Sequence, residues 1–266
     1  MKTQFRTAYI LSIIILILAI AAAAGGLFLP GIYRDNEMIR SAWFGNDIVT
    51  LFVVIPCFSV SLYRSVKGSE RAMFVWIGLL GFMLYNFAFY LFGTAFNKLF
   101  LVYVCLFTLS GYALIIAISK LDVNSLCRQF AAKTPVKSLA VFLLFLAVLL
   151  GVVEISQVLN FVLNDVYPQA PTLVFALDLS FVIPNLILTA ILLWRRAGWG
   201  YLLGVIMLIK GFTYGAVLIA STAAVAGFSL EGKWDPLIFF YVFIFFGSFV
   251  GGAVLLKSFR QSVQEP

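Results

Sequence analysis

Residues 199–222 read WGYLLGVIMLIKGFTYGAVLIAST, long enough to cross a bilayer, with one lysine, Lys210, near the middle. A charge at that depth persists only where it faces a bundle interior, a water-filled cavity or a counter-charge. One acid is expected at comparable depth, Glu154. Whether Lys210 and Glu154 form a packing device or a working site is the question the rest of the chain bears on.

The composition places this stretch in a membrane protein. Of 266 residues 63% are hydrophobic and 11% charged, against roughly 25% charged in an ordinary soluble domain. Mean hydropathy is +1.08. The formal charge of +7 therefore reads as topology and not as a nucleic-acid surface. Cys57, Cys105 and Cys127 form no CxxC set, so a thiolate metal site or thiol redox centre has no support. Histidine is absent, which removes histidine-ligated haem, histidine-based zinc and Ser-His-Asp chemistry within this chain. No cofactor and no metal site are expected.

Eight apolar spans are predicted, over 8–29, 47–64, 72–93, 99–119, 138–160, 177–194, 199–222 and 236–256. The first follows Lys2 and Arg6 and exceeds the apolar core of a signal peptide, so it reads as a retained helix. The polar stretch 33–46 reads as a short interfacial helix. With the N-terminus inside, one side carries Lys2, Arg6, Arg64, Lys67, Arg71, Lys120, Arg128, Lys133, Lys137, Arg195, Arg196, Lys257 and Arg260. The other carries only Arg34, Arg40, Lys98 and Lys233. That bias predicts an all-α polytopic bundle with both termini inside, in a cell membrane of bacterial inner-membrane type. Tyr9, Trp43, Trp76, Trp194, Trp199, Tyr201 and Trp234 read as interfacial anchors near helix ends. The inner loop 121–138 mixes apolar and basic residues and reads as a short amphipathic helix on anionic lipid.

A repeat is suggested by matching fragments. NKLFLVYV at 97–104 parallels DPLIFFYV at 235–242, and LLG occurs at 79–81 and 202–204. The second and sixth spans each open on an acid, Asp47 and Asp178, and each holds a proline, Pro56 and Pro184, although the spacing differs. Two parallel four-helix halves, 8–119 and 138–256, follow as an expectation.

The polar residues within the spans define the candidate site. Lys210 is about 16 Å and Glu154 about 24 Å along their helices from the same side, at 1.5 Å per residue, so a long lysine can reach the acid. Tyr214 and Thr213 share the face of Lys210, and Gln157 is one turn beyond Glu154. Asn86, Tyr90 and Asn97 form one stripe; Asp178, Asn185 and Thr189 another; Asp47, Thr50, Cys57 and Ser61 a third. Several start at the expected outer surface, as a vestibule would. That surface also carries Asp35, Glu37, Asp165, Glu231 and Asp235 and is net acidic. The candidate substrate- or ion-binding residues are thus Lys210, Glu154, Gln157, Tyr214, Asn86, Asn185, Asp178 and Asp47. The plainer reading of each Asn, Thr or Tyr alone is a bond between helices or back to the backbone. Gly211 and Gly215 form a GxxxG that would pack one face of the lysine helix, with Gly204 beside it.

The function read from these residues is a small transporter or proton- or ion-coupled carrier. The alternatives are an accessory or assembly subunit, a lipid enzyme, and a chromophore-binding receptor using Lys210 as a Schiff base. No acidic DxxxD-type pair supports the enzyme. Expected partners are membrane lipid, a small ion or small-molecule substrate, and a second copy or a membrane partner subunit; nucleic acid is not expected.

Overall fold

The computed structural model describes residues 4–168, 170–228 and 237–259. Among them, eight helices are long and apolar enough to span a membrane. They are α1 (Arg6–Phe28), α2 (Ile39–Val66), α3 (Glu70–Gly93), α4 (Phe100–Ser119), α5 (Val136–Asn164), α6 (Thr172–Trp194), α7 (Gly198–Ala226) and α8 (Ile238–Lys257). The protein is an all-α, multi-pass membrane bundle. Of the residues used for topology, Lys2, Glu231, Lys233, Trp234, Asp235 and Arg260 lie outside the described residues, as does the side chain of Glu37.

Helix starts follow from their caps. Asn36 precedes α2 and its side-chain oxygen accepts the Ile39 N–H at 2.9 Å. No breaker follows that cap, so the expected interfacial helix at 33–46 is not separate but is the first part of α2. The second span therefore does not open on Asp47, nor the sixth on Asp178; their helices begin at Glu37 and Thr172. Ser69 caps α3, accepting the Ala72 N–H at 3.4 Å. At its other end α3 stops at Gly93. Asn97 is thus not on the stripe of Asn86 and Tyr90. It shapes the α3–α4 connection, its Oδ1 accepting the Leu99 N–H at 2.9 Å and its Nδ2 donating to the Ala95 carbonyl at 3.2 Å.

Both α2 and α6 contain a π turn, Thr50–Val54 and Asp178–Val182, and each turn runs straight into an Ile-Pro pair. Proline lacks an N–H and displaces the carbonyl one turn back, and the wider π turn absorbs that break. The likeness continues beyond the proline. Lys67, Gly68 and Ser69 donate to the carbonyls of Tyr63, Ser65 and Arg64; Arg195, Arg196 and Ala197 donate to those of Ile191, Leu193 and Leu192. Gly68 and Arg196, with φ of 97° and 55°, make the same left-handed turn. Residues 50–69 and 178–197 thus share one construction at a constant offset of 128. In this register Thr50, and not Asp47, answers to Asp178. That is why the acid-to-proline spacings of the two spans disagreed.

Packing divides the chain into two units, Met1–Leu121 with Leu208–Ala253, and Asp122–Met207 with Val254–Pro266. In the first, α3 is the enclosed helix: 78% of its apolar window is buried, against 50% or less in every other span. Trp76 of α3 is fully buried, donates its indole N–H to Ser12 of α1 at 2.9 Å and lies 4.9 Å from the Tyr9 ring. Trp76, Tyr9, Trp43 and Tyr201 are therefore interior residues, and of the expected anchors among the described residues Trp194 and Trp199 are exposed. An indole or phenol has a polar tip that a neighbouring helix can satisfy as well as the interface can.

Small residues set the closest approaches. Gly211 and Gly215 of α7 face Ser248 and Phe245 of α8. Gly45 of α2 lies against the backbone of Ser221, where a Cβ would meet main-chain atoms at 2.5 Å; the Ser221 hydroxyl donates to the Ala42 carbonyl at 2.9 Å. A Cβ at Gly78 of α3 would meet Ile209 at 2.5 Å.

In the second unit α5 packs along α6. The 121–138 loop is not one continuous amphipathic helix. It holds a 3-10 turn (Val123–Ser125) and one helical turn (Leu126–Gln129), then pairs Phe130 with Phe259 in an antiparallel bridge. The Phe130 ring stacks on Tyr201 at 4.3 Å. Its apolar residues find protein, which anchors the loop.

Overpacking a closed helix crossing costs about 1–3 kcal/mol. Gly45→Leu is expected to lower the thermal midpoint of the purified protein by several degrees. Gly111→Ala, whose new methyl would meet only a Leu84 side-chain carbon at 3.5 Å, should leave it unchanged.

Candidate functional site

The enclosed helix α3 carries two polar faces about 100° apart. Tyr85 and Phe89, one turn apart, face α7; Asn86 and Tyr90, also one turn apart, face α2.

On the first face the Lys210 ammonium lies 3.8 Å from the Tyr85 ring centroid and 4.9 Å from that of Tyr214. The two tyrosine rings meet edge to face, 5.5 Å apart at 90°, and Phe89 closes the group 5.1 Å from Tyr85. Lys210 is 8% exposed. The ring faces replace part of the hydration the ammonium gives up, worth about 2 kcal/mol when desolvated. The same arrangement holds the lysine extended against α3. Thr213, expected beside it, turns its hydroxyl back to the carbonyls of Ile209 at 2.8 Å and Lys210 at 3.1 Å.

On the second face Asp47 is 2% exposed. Its two carboxylate oxygens accept from different elements: Oδ2 from the Tyr33 hydroxyl at 2.5 Å, and Oδ1 from the Tyr90 hydroxyl at 2.7 Å. Tyr33 belongs to the α1–α2 connection. Burial, and then the Asp47 carboxylate beside it, raise the Tyr33 phenol well above its ordinary pKa, so it remains a donor. Trp43 stacks 4.9 Å from Tyr90, and Tyr103 of α4 lies 5.1 Å from Tyr90. Gly26 of α1 admits this cluster, because a Cβ there would overlap both the Asp47 carboxylate and the Tyr33 hydroxyl.

A polar rung continues the second face. Asn46 Nδ2 donates to Asn86 Oδ1 at 2.9 Å, and the Thr50 hydroxyl donates to Asn46 Oδ1 at 3.3 Å. Asn86 Nδ2 and the Trp43 indole N–H are buried with no acceptor among the described residues. An unsatisfied buried donor costs about 1–3 kcal/mol, and such groups are retained where a ligand or water is handled.

The first unit therefore brings Asp47, Asn86, Tyr214 and Lys210 of the expected residues onto the neighbours of one helix. Glu154, Gln157, Asp178 and Asn185 belong to the second unit. There Glu154 of α5 is 4% exposed and Asp178 begins the π turn of α6, 2% exposed. The Asn185 amide donates to the Phe181 carbonyl inside that turn at 2.7 Å, and Gln157 reaches the Val153 carbonyl at 3.5 Å. Both amides thus serve their own helices. Among the described residues no three His, Cys, Asp or Glu side chains cluster as a metal site.

Tyr85, Tyr33, Tyr103 and Asn46 were not expected at the site. The signal was available: a tyrosine within or beside an apolar span must place its hydroxyl or its ring face somewhere. Compared with family models, curated proteins and solved structures, the chain matches none.

A double-mutant cycle isolates the ring–cation contact. Tyr85→Leu and Lys210→Met are expected to couple by about 0.5–2 kcal/mol in detergent unfolding. Additive effects would show that the ring holds nothing.

Proposed function

We propose that this protein is a small membrane carrier coupled to protons or ions, with Lys210 as the cationic group that holds an anionic group of its cargo. The observation that carries this reading is the polar core around α3: a buried ammonium on two tyrosine faces, and one residue along the helix an asparagine amide with an unsatisfied donor. An assembly device needs neither; a closed hydrogen-bonded rung would hold the helices. Glu154 is a second buried titratable group and takes up the proton or cation in this account. Access is from the end of α2 and α3 that bears Asp47 and Tyr90, the outer face when the N-terminus is inside.

The carrier is built, on this reading, from two halves, 8–119 and 138–256, aligned through Pro56 and Pro184. The matching π turns support that register. A π turn gives a helix a local freedom that a regular α-helix lacks, and two of them at equivalent places suit a protein that changes conformation in two halves.

The test is transport into proteoliposomes. A panel of small organic acids, amines and alkali cations is offered under an imposed pH gradient, with interior pH reported by trapped pyranine and charge movement by solid-supported-membrane currents. At least one cargo is expected to move. The flux should vanish in Lys210→Ala and Glu154→Gln. Silence across the panel, with a fixed membrane subunit copurifying and the Lys210→Met/Glu154→Gln double variant still binding it, would establish the accessory reading instead.

A further inference from the structure

The Asp47 cluster does something the lysine site does not require. Its carboxylate joins three elements through oxygen atoms alone: its own helix α2, the α1–α2 connection through Tyr33, and α3 through Tyr90. The connection is a loop whose Tyr33 ring also stacks on Trp43 at 6.4 Å. It runs between Phe28 and Glu37 without helix, turning at Gly31 with φ of 71°. Within it Ile32 and Tyr33 are buried while Arg34 is exposed. Its other side-chain tie is Asp35, whose Oδ1 accepts the Ala95 N–H at 3.0 Å.

We propose that Asp47 is a proton-binding site, distinct from Lys210, and that its loading unlatches the α1–α2 connection from the end of the polar core. A carboxylate accepts two phenol hydrogen bonds, each strengthened because the acceptor is charged. A proton on one oxygen turns that oxygen into a donor and leaves a weak neutral acceptor on the other. The two phenols can then no longer both donate: one must turn its hydrogen away and accept from the acid O–H, and both bonds become neutral and weaker. Both phenols touch the Trp43 ring, Tyr90 at 4.9 Å and Tyr33 at 6.4 Å, but Tyr90 is held in a helix and Tyr33 is not, so the weakened bond that opens is that of Tyr33. Tyr33 cannot instead ionise and remain, since burial and the carboxylate hold its proton.

Among the described residues, the following groups face Asp47. The connection presents Tyr33, with Asp35 two residues on; α3 presents Tyr90 and α4 presents Tyr103. From α1 comes Gly26, with no side chain. Asp35 is the other carboxylate of the connection among the described residues, and its variant serves as the control. The proposal rests on the carrier reading and adds to it a second proton-binding group besides Glu154, but its test needs no cargo, so either can fail alone.

The experiment places a nitroxide spin label at Arg34→Cys, with Cys57, Cys105 and Cys127 replaced by alanine, in full-length protein in lipid nanodiscs. Its mobility is followed from pH 9 to pH 4. An immobile label that becomes mobile through one midpoint is expected. Asp47→Asn and Tyr33→Phe should both give a label that is mobile throughout. Tyr90→Phe removes one stabilising donor from the anion and should keep the transition while moving its midpoint to higher pH. Asp35→Asn should leave the midpoint where it is. A label insensitive to pH, or a transition that survives Asp47→Asn and disappears in Asp35→Asn, would overturn the proposal. Should Asp47→Asn fail to fold, an unmoved midpoint in Tyr90→Phe would overturn it as well.

Discussion

Hydrocarbon offers no hydrogen bonds, so every polar group carried into the membrane must be met from within the protein. The first unit answers this constraint with one helix. α3 is enclosed where the other spans face lipid, and it brings tyrosines and an asparagine where most helices bring Leu and Val. Tyr90 meets Asp47, Asn86 meets Asn46, Tyr85 meets Lys210, and Trp76 meets Ser12. Remove α3, and an acid, an amide and an ammonium each lose one partner together.

The apolar runs made the eight spans legible, because length and hydropathy are summed over some twenty residues and tolerate local error. Helix starts were less legible. Asp47 looked like a helix start since it ended a polar stretch, yet the Asn36 cap lies eleven residues earlier and nothing between them breaks a helix. Lys210 declared itself as a charge in an apolar run, and Asp47 as an acid at the head of one. Their partners did not. Tyr85 and Tyr33 are tyrosines in aromatic-rich surroundings, and which ring faces a cation depends on helix rotation, a property of packing. Trp76 and Tyr9 misled for the same reason: proximity to a helix end does not say whether the side chain turns toward lipid or toward Ser12 and Ser65.

Pro56 and Pro184 were visible in the sequence, but the geometry around them was not. Each sits behind a π turn, and the match between 50–69 and 178–197 appears only when the chain is aligned on those prolines. Aligning on the acids hid it. The glycines complement the turns: Gly45 and Gly215 close α7 against α2 and α8, so the helix bearing Lys210 is held on its other faces.

The central claim is that the polar face of α3 works in contact with water and is not a dry seam. Substituted-cysteine accessibility along α3, in the cysteine-free background, tests this directly with a small membrane-impermeant methanethiosulfonate. Labelling at positions 86 and 90, with none at Leu84 or Phe92, is the result this account predicts. No labelling at 86 or 90 under any pH or candidate cargo would contradict it and leave α3 a structural strut.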